Sequence, residues 1–217
     1  MCLWEKALVK LWEKRKKMNK IINVQDKIKE DFNNASKEDL EKLFDNFETN
    51  KRNSSFVKYY NRTVLDKEKI NFGEFKHQWA IQGMTREVYG FFDENFDMLK
   101  EEIISKKDIK EFYNKYCITK RREGSFCSKL FHTLLPNEFP PVDNPIRNYF
   151  GFHNEELINS VMLIQKGYRL FIKENPYTLG EVRDLFSKEK FSYLRAKELS
   201  DIRIIDMFYW LKESRLK

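Results

Sequence analysis

Residues 124–151 read GSFCSKLFHTLLPNEFPPVDNPIRNYFG. Over Ser125–Leu135 the apolar spacing predicts a helix that presents Phe126, Leu130 and Leu134 inward. Lys129 falls one turn from its start, where the positive end of the helix dipole lowers the pKa of an amine. Pro136, Pro140 and Pro141 then force a rigid extended corner. Asp143 and Asn144 stand before Pro145, and a proline at the first helical position behind an Asp or Asn cap starts a new helix. Helix, corner and capped helix follow in under thirty residues, so the corner aims the Asp143 carboxylate back toward the helix that carries Lys129. The plainer reading of the same residues is a capping aspartate and a solvated lysine.

The rest of the chain extends this helical pattern. Seven Gly and five Pro in 217 residues leave little material for the tight turns of a many-stranded sandwich or barrel. With 41% hydrophobic, 15% aromatic and 35% charged residues, the composition is that of a folded globular chain. The expected fold is all-α, a compact multi-helix domain. Residues 3–17 carry Leu3, Trp4, Ala7, Leu8, Leu11 and Trp12 on one stripe, with the basic cluster Lys14, Arg15, Lys16, Lys17 behind it. Such a helix can lie on a membrane, reach nucleic acid, contact a protein partner through its Trp4/Trp12 face, or dock that face on its own domain. Residues 1–17 are therefore set apart from a single helical domain at 18–217.

Ser36 with Asp39 and Ser105 with Asp108 resemble helix caps, and Thr178 with Glu181 a capping box. The polar run 50–55 reads as a loop, 56–70 fit strand or helix, and 85–100 read as one amphipathic helix. Gly167 interrupts the periodicity of the segment that begins near Leu157. Ser200 opens a last helix whose Ile202, Ile205, Phe208 and Tyr209 face inward.

The net charge of +7 and pI near 9.1 suit an acidic partner such as nucleic acid, or simply a basic solvated surface. Cys2, Cys117 and Cys127 have no metal-ligand spacing and an odd count, as expected in a reducing cytoplasm. His77, His132 and His153 lack the pairing of metal sites, so no metal is expected. Neither a glycine-rich phosphate loop nor a GxSxG elbow is present, so no cofactor is expected either.

Pro141-Val142-Asp143-Asn144-Pro145-Ile146-Arg147 resembles the segment that carries the catalytic aspartate of the helix-hairpin-helix DNA glycosylases. Gly124-Ser125-Phe126-Cys127-Ser128-Lys129 is similar to the hairpin that ends in the catalytic lysine of their bifunctional members. Ser128-Lys129-Leu130, His132, Leu134, Pro136, Phe139-Pro140 and Asp143 look most like bacterial proteins with an 8-oxoguanine-glycosylase-like fold. The resemblance implies a glycosylase-like fold, a DNA partner, Lys129 as the amine nucleophile and Asp143 as the group that stabilises developing positive charge. It further implies DNA contacts from Lys120, Arg121, Arg122, Gly124, Ser125 and Arg147. The stretch has one glycine where the family's hairpin has two or more, and Lys129 and Asp143 are closer in sequence than in the family. A non-catalytic nucleic-acid-binding module of the same fold and a helical protein-interaction subunit are the other readings.

Overall fold

A computed structural model describes residues 3–41, 51–81, 84–117 and 123–214. Among them every regular element is a helix, as the composition requires. α1 is Leu3–Asn34, α2 Lys51–Tyr60, α3 Phe72–Gln78, α4 Arg86–Glu94, α5 Phe96–Lys106 and α6 Ile109–Tyr116. α7 is Glu123–Leu134, α8 Asn144–Tyr149, α9 Leu157–Glu174, α10 Pro176–Phe186 and α11 Asp201–Ser214. A π-helical turn, Asn61–Leu65, prolongs α2, and two 3₁₀ segments, Glu189–Leu194 and Ala196–Glu198, lead into α11.

The core is aromatic and continuous. Its spine is the pair α1 and α9, which meet at Gly167: a Cβ there would come within 2.5 Å of Val24 Cβ. Gly167 therefore does not interrupt α9, which runs unbroken through it; the missing side chain is what lets two helix backbones approach. Beyond that contact Phe32 of α1 lies 5.5 Å from Phe171 of α9 and 4.3 Å from Phe208 of α11, ring centre to ring centre. Asp31 closes the same junction, accepting from Tyr149 Oη (2.7 Å), Tyr209 Oη (2.9 Å) and Lys212 Nζ (2.5 Å).

Several local readings change in the folded chain. α1 runs without a break through residue 17, and its core-facing seam is Ile21, Val24, Ile28 and Phe32. The Trp4/Trp12 stripe does not dock on the domain; both tryptophans are exposed. Residues 51–55 are helical, because Phe56, Val57, Tyr59 and Tyr60 bury one face of α2 and carry the polar turn before them into the same helix. The segment 56–70 is helix and π turn, with no strand. The single helix expected at 85–100 is two, since Asn95 ends α4 with its side chain on the Phe91 carbonyl (2.9 Å). Ser105 lies inside α5, and only Asp108 caps α6, accepting from Lys110 N and Glu111 N. Thr178 is likewise interior, because α10 already starts at Pro176 after Asn175. Ser36 does cap the turn at 37–41, its Oγ accepting from Asp39 N at 3.0 Å. None of the helices is long and apolar enough to cross a membrane, among the described residues.

Candidate functional site

α7 is the central helix and is buried along nearly its whole length. Phe126 and Leu130 point into the core as expected, while Leu134 is half-buried. Cys127 meets Cys117 with the two sulfurs 3.0 Å apart; both are free thiols, and burial pushes the Cys127 thiol well above its ordinary range.

The corner that follows has no ladder of its own, and its prolines remove donors but leave every carbonyl to be satisfied. Side chains of the surrounding elements supply the partners. From α7, Ser128 Oγ donates to the Val142 carbonyl at 2.7 Å and His132 Nδ1 to the Phe139 carbonyl at 2.7 Å. From α9, Gln165 Nε2 donates to the Glu138 carbonyl at 2.7 Å, and Ser200, just before α11, donates to the Pro136 carbonyl at 2.7 Å. Because a carbonyl only accepts, Nδ1 of His132 carries the proton and Nε2 accepts from Tyr60 Oη at 2.9 Å. His132 is thus held neutral: burial, with the nearby Arg203 charge, lowers its pKa to about 3.

So clamped, the corner delivers Asp143. One carboxylate oxygen, Oδ1, caps α8 by accepting from Ile146 N at 3.3 Å. The other, Oδ2, lies 3.8 Å from Lys129 Nζ. Capping and facing the amine are therefore not alternatives, since one side chain does both. Lys129 is buried rather than solvated and donates to the Trp79 carbonyl at 3.0 Å, at the end of α3. Its pKa is lowered chiefly by that burial, while Asp143 and Asp206 oppose the shift. The helix dipole is not among the causes, because Lys129 lies in the second turn of α7, beyond the turn where that field is strong.

α11 contributes two groups that sequence reasoning did not select. Arg203 and Asp206 form a buried ion pair. The Arg203 guanidinium lies 4.6 Å from the centre of the Tyr60 ring, 5.4 Å from Phe56 and 5.6 Å from Trp210. Burial raises the Asp206 pKa to about 6; Arg203 opposes this, and Asp143 adds to it. The signal in the sequence was a charged i, i+3 pair inside the apolar run Ile202–Tyr209. Trp79 Nε1 and Arg203 Nε are buried donors without a hydrogen-bond partner.

The expected DNA contacts fare unevenly. Lys120, Arg121 and Arg122 lie outside the described residues. Gly124 is buried in the first turn of α7, where a Cβ would meet Leu157 Cδ2 at 3.1 Å, so it serves helix packing and not a phosphate-binding hairpin. From Glu123 onward the stretch read as hairpin is helix, since Phe126, Cys127 and Leu130 bury at helical spacing. Ser125 is half-buried near the start of that helix, its carbonyl accepting from Ser128 Oγ at 3.0 Å. Arg147, also half-buried, donates from Nη1 to the Glu155 carbonyl at 3.3 Å. His77 and His153 are exposed, and no group of three or more His, Cys, Asp or Glu among the described residues could hold a metal ion.

No protein-family model, curated protein or solved structure matches the chain.

Proposed function

We propose that the protein is a DNA-binding base-excision glycosylase/AP lyase, with Lys129 as nucleophile and Asp143 as its carboxylate partner. One observation carries the reading: a buried amine stands 3.8 Å from a carboxylate that a four-point clamp holds in place. Burial favours the neutral amine, the form that can attack carbon. In the reaction Nζ bonds to C1′ of the damaged nucleotide, the glycosidic bond breaks, and the base departs with its electron pair. Asp143 stabilises the positive charge that develops on the sugar and takes up the proton lost from Nζ. The unpartnered donors Trp79 Nε1 and Arg203 Nε suit the acceptors of an extruded base. Ser125, Arg147 and the basic run 120–122 are the residues proposed to meet the phosphates.

Borohydride trapping tests this on abasic and 8-oxoguanine duplexes. A covalent adduct is expected with the native chain and none with Lys129→Met, which keeps the buried stem. An undiminished adduct in Lys129→Met overturns the role of Lys129, and no adduct from the native chain on an abasic duplex overturns the lyase.

A further inference from the structure

The exposed side of α1 carries an apolar face of its own. At about 100° per residue, Trp4, Leu8, Leu11, Trp12, Met18 and Ile22 fall within an arc of about 120°. Trp4 is 80% exposed, Leu8, Leu11 and Trp12 62% each, Met18 48% and Ile22 39%. The core-facing seam of Ile21, Val24, Ile28 and Phe32 lies about 135° around the helix from the middle of that arc, so the face turns away from the body. Charge follows the same boundary. Residues 4–22 hold seven Lys or Arg against Glu5 and Glu13, whereas residues 23–34 hold two Lys against three Asp or Glu. The arc also ends at Ile22, because Asp26, Lys29, Glu30 and Asn33 occupy the same side beyond it. Lys14 and Lys16 stand on the two edges of the arc, each about 100° from its middle, and Lys10, Lys17 and Lys20 lie behind it. Lys20 pairs with Glu155 of the body, and Lys16 Nζ is 5.0 Å from the centre of the Trp12 ring. Arg15 lies inside the arc.

We propose that the N-terminal half of α1 lies on an anionic lipid surface, with its Trp and Leu side chains among the acyl chains and its flanking lysines at the headgroups. Charge complementarity selects that occupant. Apolar face and positive charge end together at Ile22, and a lipid leaflet answers both, with hydrocarbon below and phosphate above. Arg15 fits the same partner, since its stem can lie along Leu11 while the guanidinium rises to a phosphate. A nucleic acid would take the cations and leave Trp4, Leu8, Leu11 and Met18 in water. A protein groove over the arc reaches Lys14 and Lys16 but has to bury Arg15. The field of a charged plane extends about a helix diameter and so also draws Lys10 and Lys17. The helix lies on the bilayer and does not cross it, because it is not apolar enough to do so. The inference is independent of the chemistry proposed for Lys129.

Flotation of the full chain with lipid vesicles tests the contact. The native chain should float with vesicles of about 30% phosphatidylglycerol in phosphatidylcholine at ~50 mM salt, and lose most of that binding at ~500 mM. It should not float with phosphatidylcholine alone. Leu8→Gln/Leu11→Gln keeps every charge and should bind on the order of tenfold more weakly, with an unchanged far-ultraviolet spectrum. Lys14→Gln/Lys16→Gln keeps the apolar arc and should also weaken binding about tenfold. A native chain that fails to float at low salt overturns the proposal. So does full binding by the leucine variant, which would leave only the net charge of the molecule at work. In a Cys2→Ser background, where Cys117 and Cys127 are buried, a polarity-sensitive dye on Leu8→Cys should shift to the blue with vesicles, and on Lys17→Cys it should not. Equal shifts overturn the orientation. A chain that ignores vesicles but doubles its 26.5 kDa mass in light scattering overturns the proposal in favour of a second copy.

Discussion

Gly167→Ala should destabilise the chain, while the same change at Gly90 and Gly180 should stabilise it. All three glycines are helical, in α9, α4 and α10. At Gly90 and Gly180 an added Cβ meets nothing within 4 Å, so only backbone entropy changes, a gain of roughly 0.5–1 kcal/mol. At Gly167 the new carbon would stand 2.5 Å from Val24 Cβ and 3.3 Å from the Ile21 carbonyl oxygen. Carbon pairs rest at about 3.5–4.0 Å, so α1 must retreat by on the order of 1 Å. Overpacking of that kind costs about 1–3 kcal/mol, and the better helix propensity of alanine returns about 1 kcal/mol. A net loss of up to about 2 kcal/mol at Gly167 is the expected outcome, which sets it about 0.5–3 kcal/mol below the other two sites. Urea midpoints of the three variants, followed by helix signal under one set of conditions, measure the difference. If all three shift the same way, the close approach of α1 and α9 at Val24 is wrong.

Two further outcomes concern the site. His132 has an ordinary pKa of 6.5 and one of about 3 in the fold. The unfolded chain therefore binds the extra proton first, and the stability His132 contributes is complete above pH 6.5 and lost as pH falls toward 3. The gap is worth on the order of 4–5 kcal/mol, so His132→Gln should lose less of its urea midpoint between neutral pH and about pH 4.5 than the native chain; an equal loss refutes the neutral histidine. Asp143→Ala should cost about 1 kcal/mol for the lost cap, whereas Asp143→Asn caps as well and should melt like the native chain. If the carboxylate serves catalysis, the asparagine variant keeps its stability and loses borohydride trapping; a fully retained adduct would assign Asp143 to capping alone.

What could be read in the sequence was local. Asp108 and Asp143 declared their caps because a capping side chain and the amides it serves are neighbours in the chain. The inward face of α11 was legible from spacing, and so was the direction in which the corner turns. Gly167 was misread because its reason lies in Val24, on a helix far away in sequence. The depressed amine of Lys129 was expected on the wrong cause, since burial beneath Trp79 is a tertiary fact and the dipole a local one. Arg203 and Asp206 went unselected because a charged pair on a helix looks like a solvated face until three aromatic rings enclose it. Ser128 and His132 sat inside the motif, yet their role as clamps needed the carbonyls they hold.

Two of those clamps reach the corner from much later in the chain: Gln165 comes 27 residues after Glu138, and Ser200 64 residues after Pro136. During synthesis, a chain that has emerged only as far as Gly151 holds the entire motif but half of what shapes it. Asp143 takes its final place only when α9 and the start of α11 have packed. Substitutions at Gln165 or Ser200, which touch neither Lys129 nor Asp143, would uncouple the pair in a chain that still appears folded.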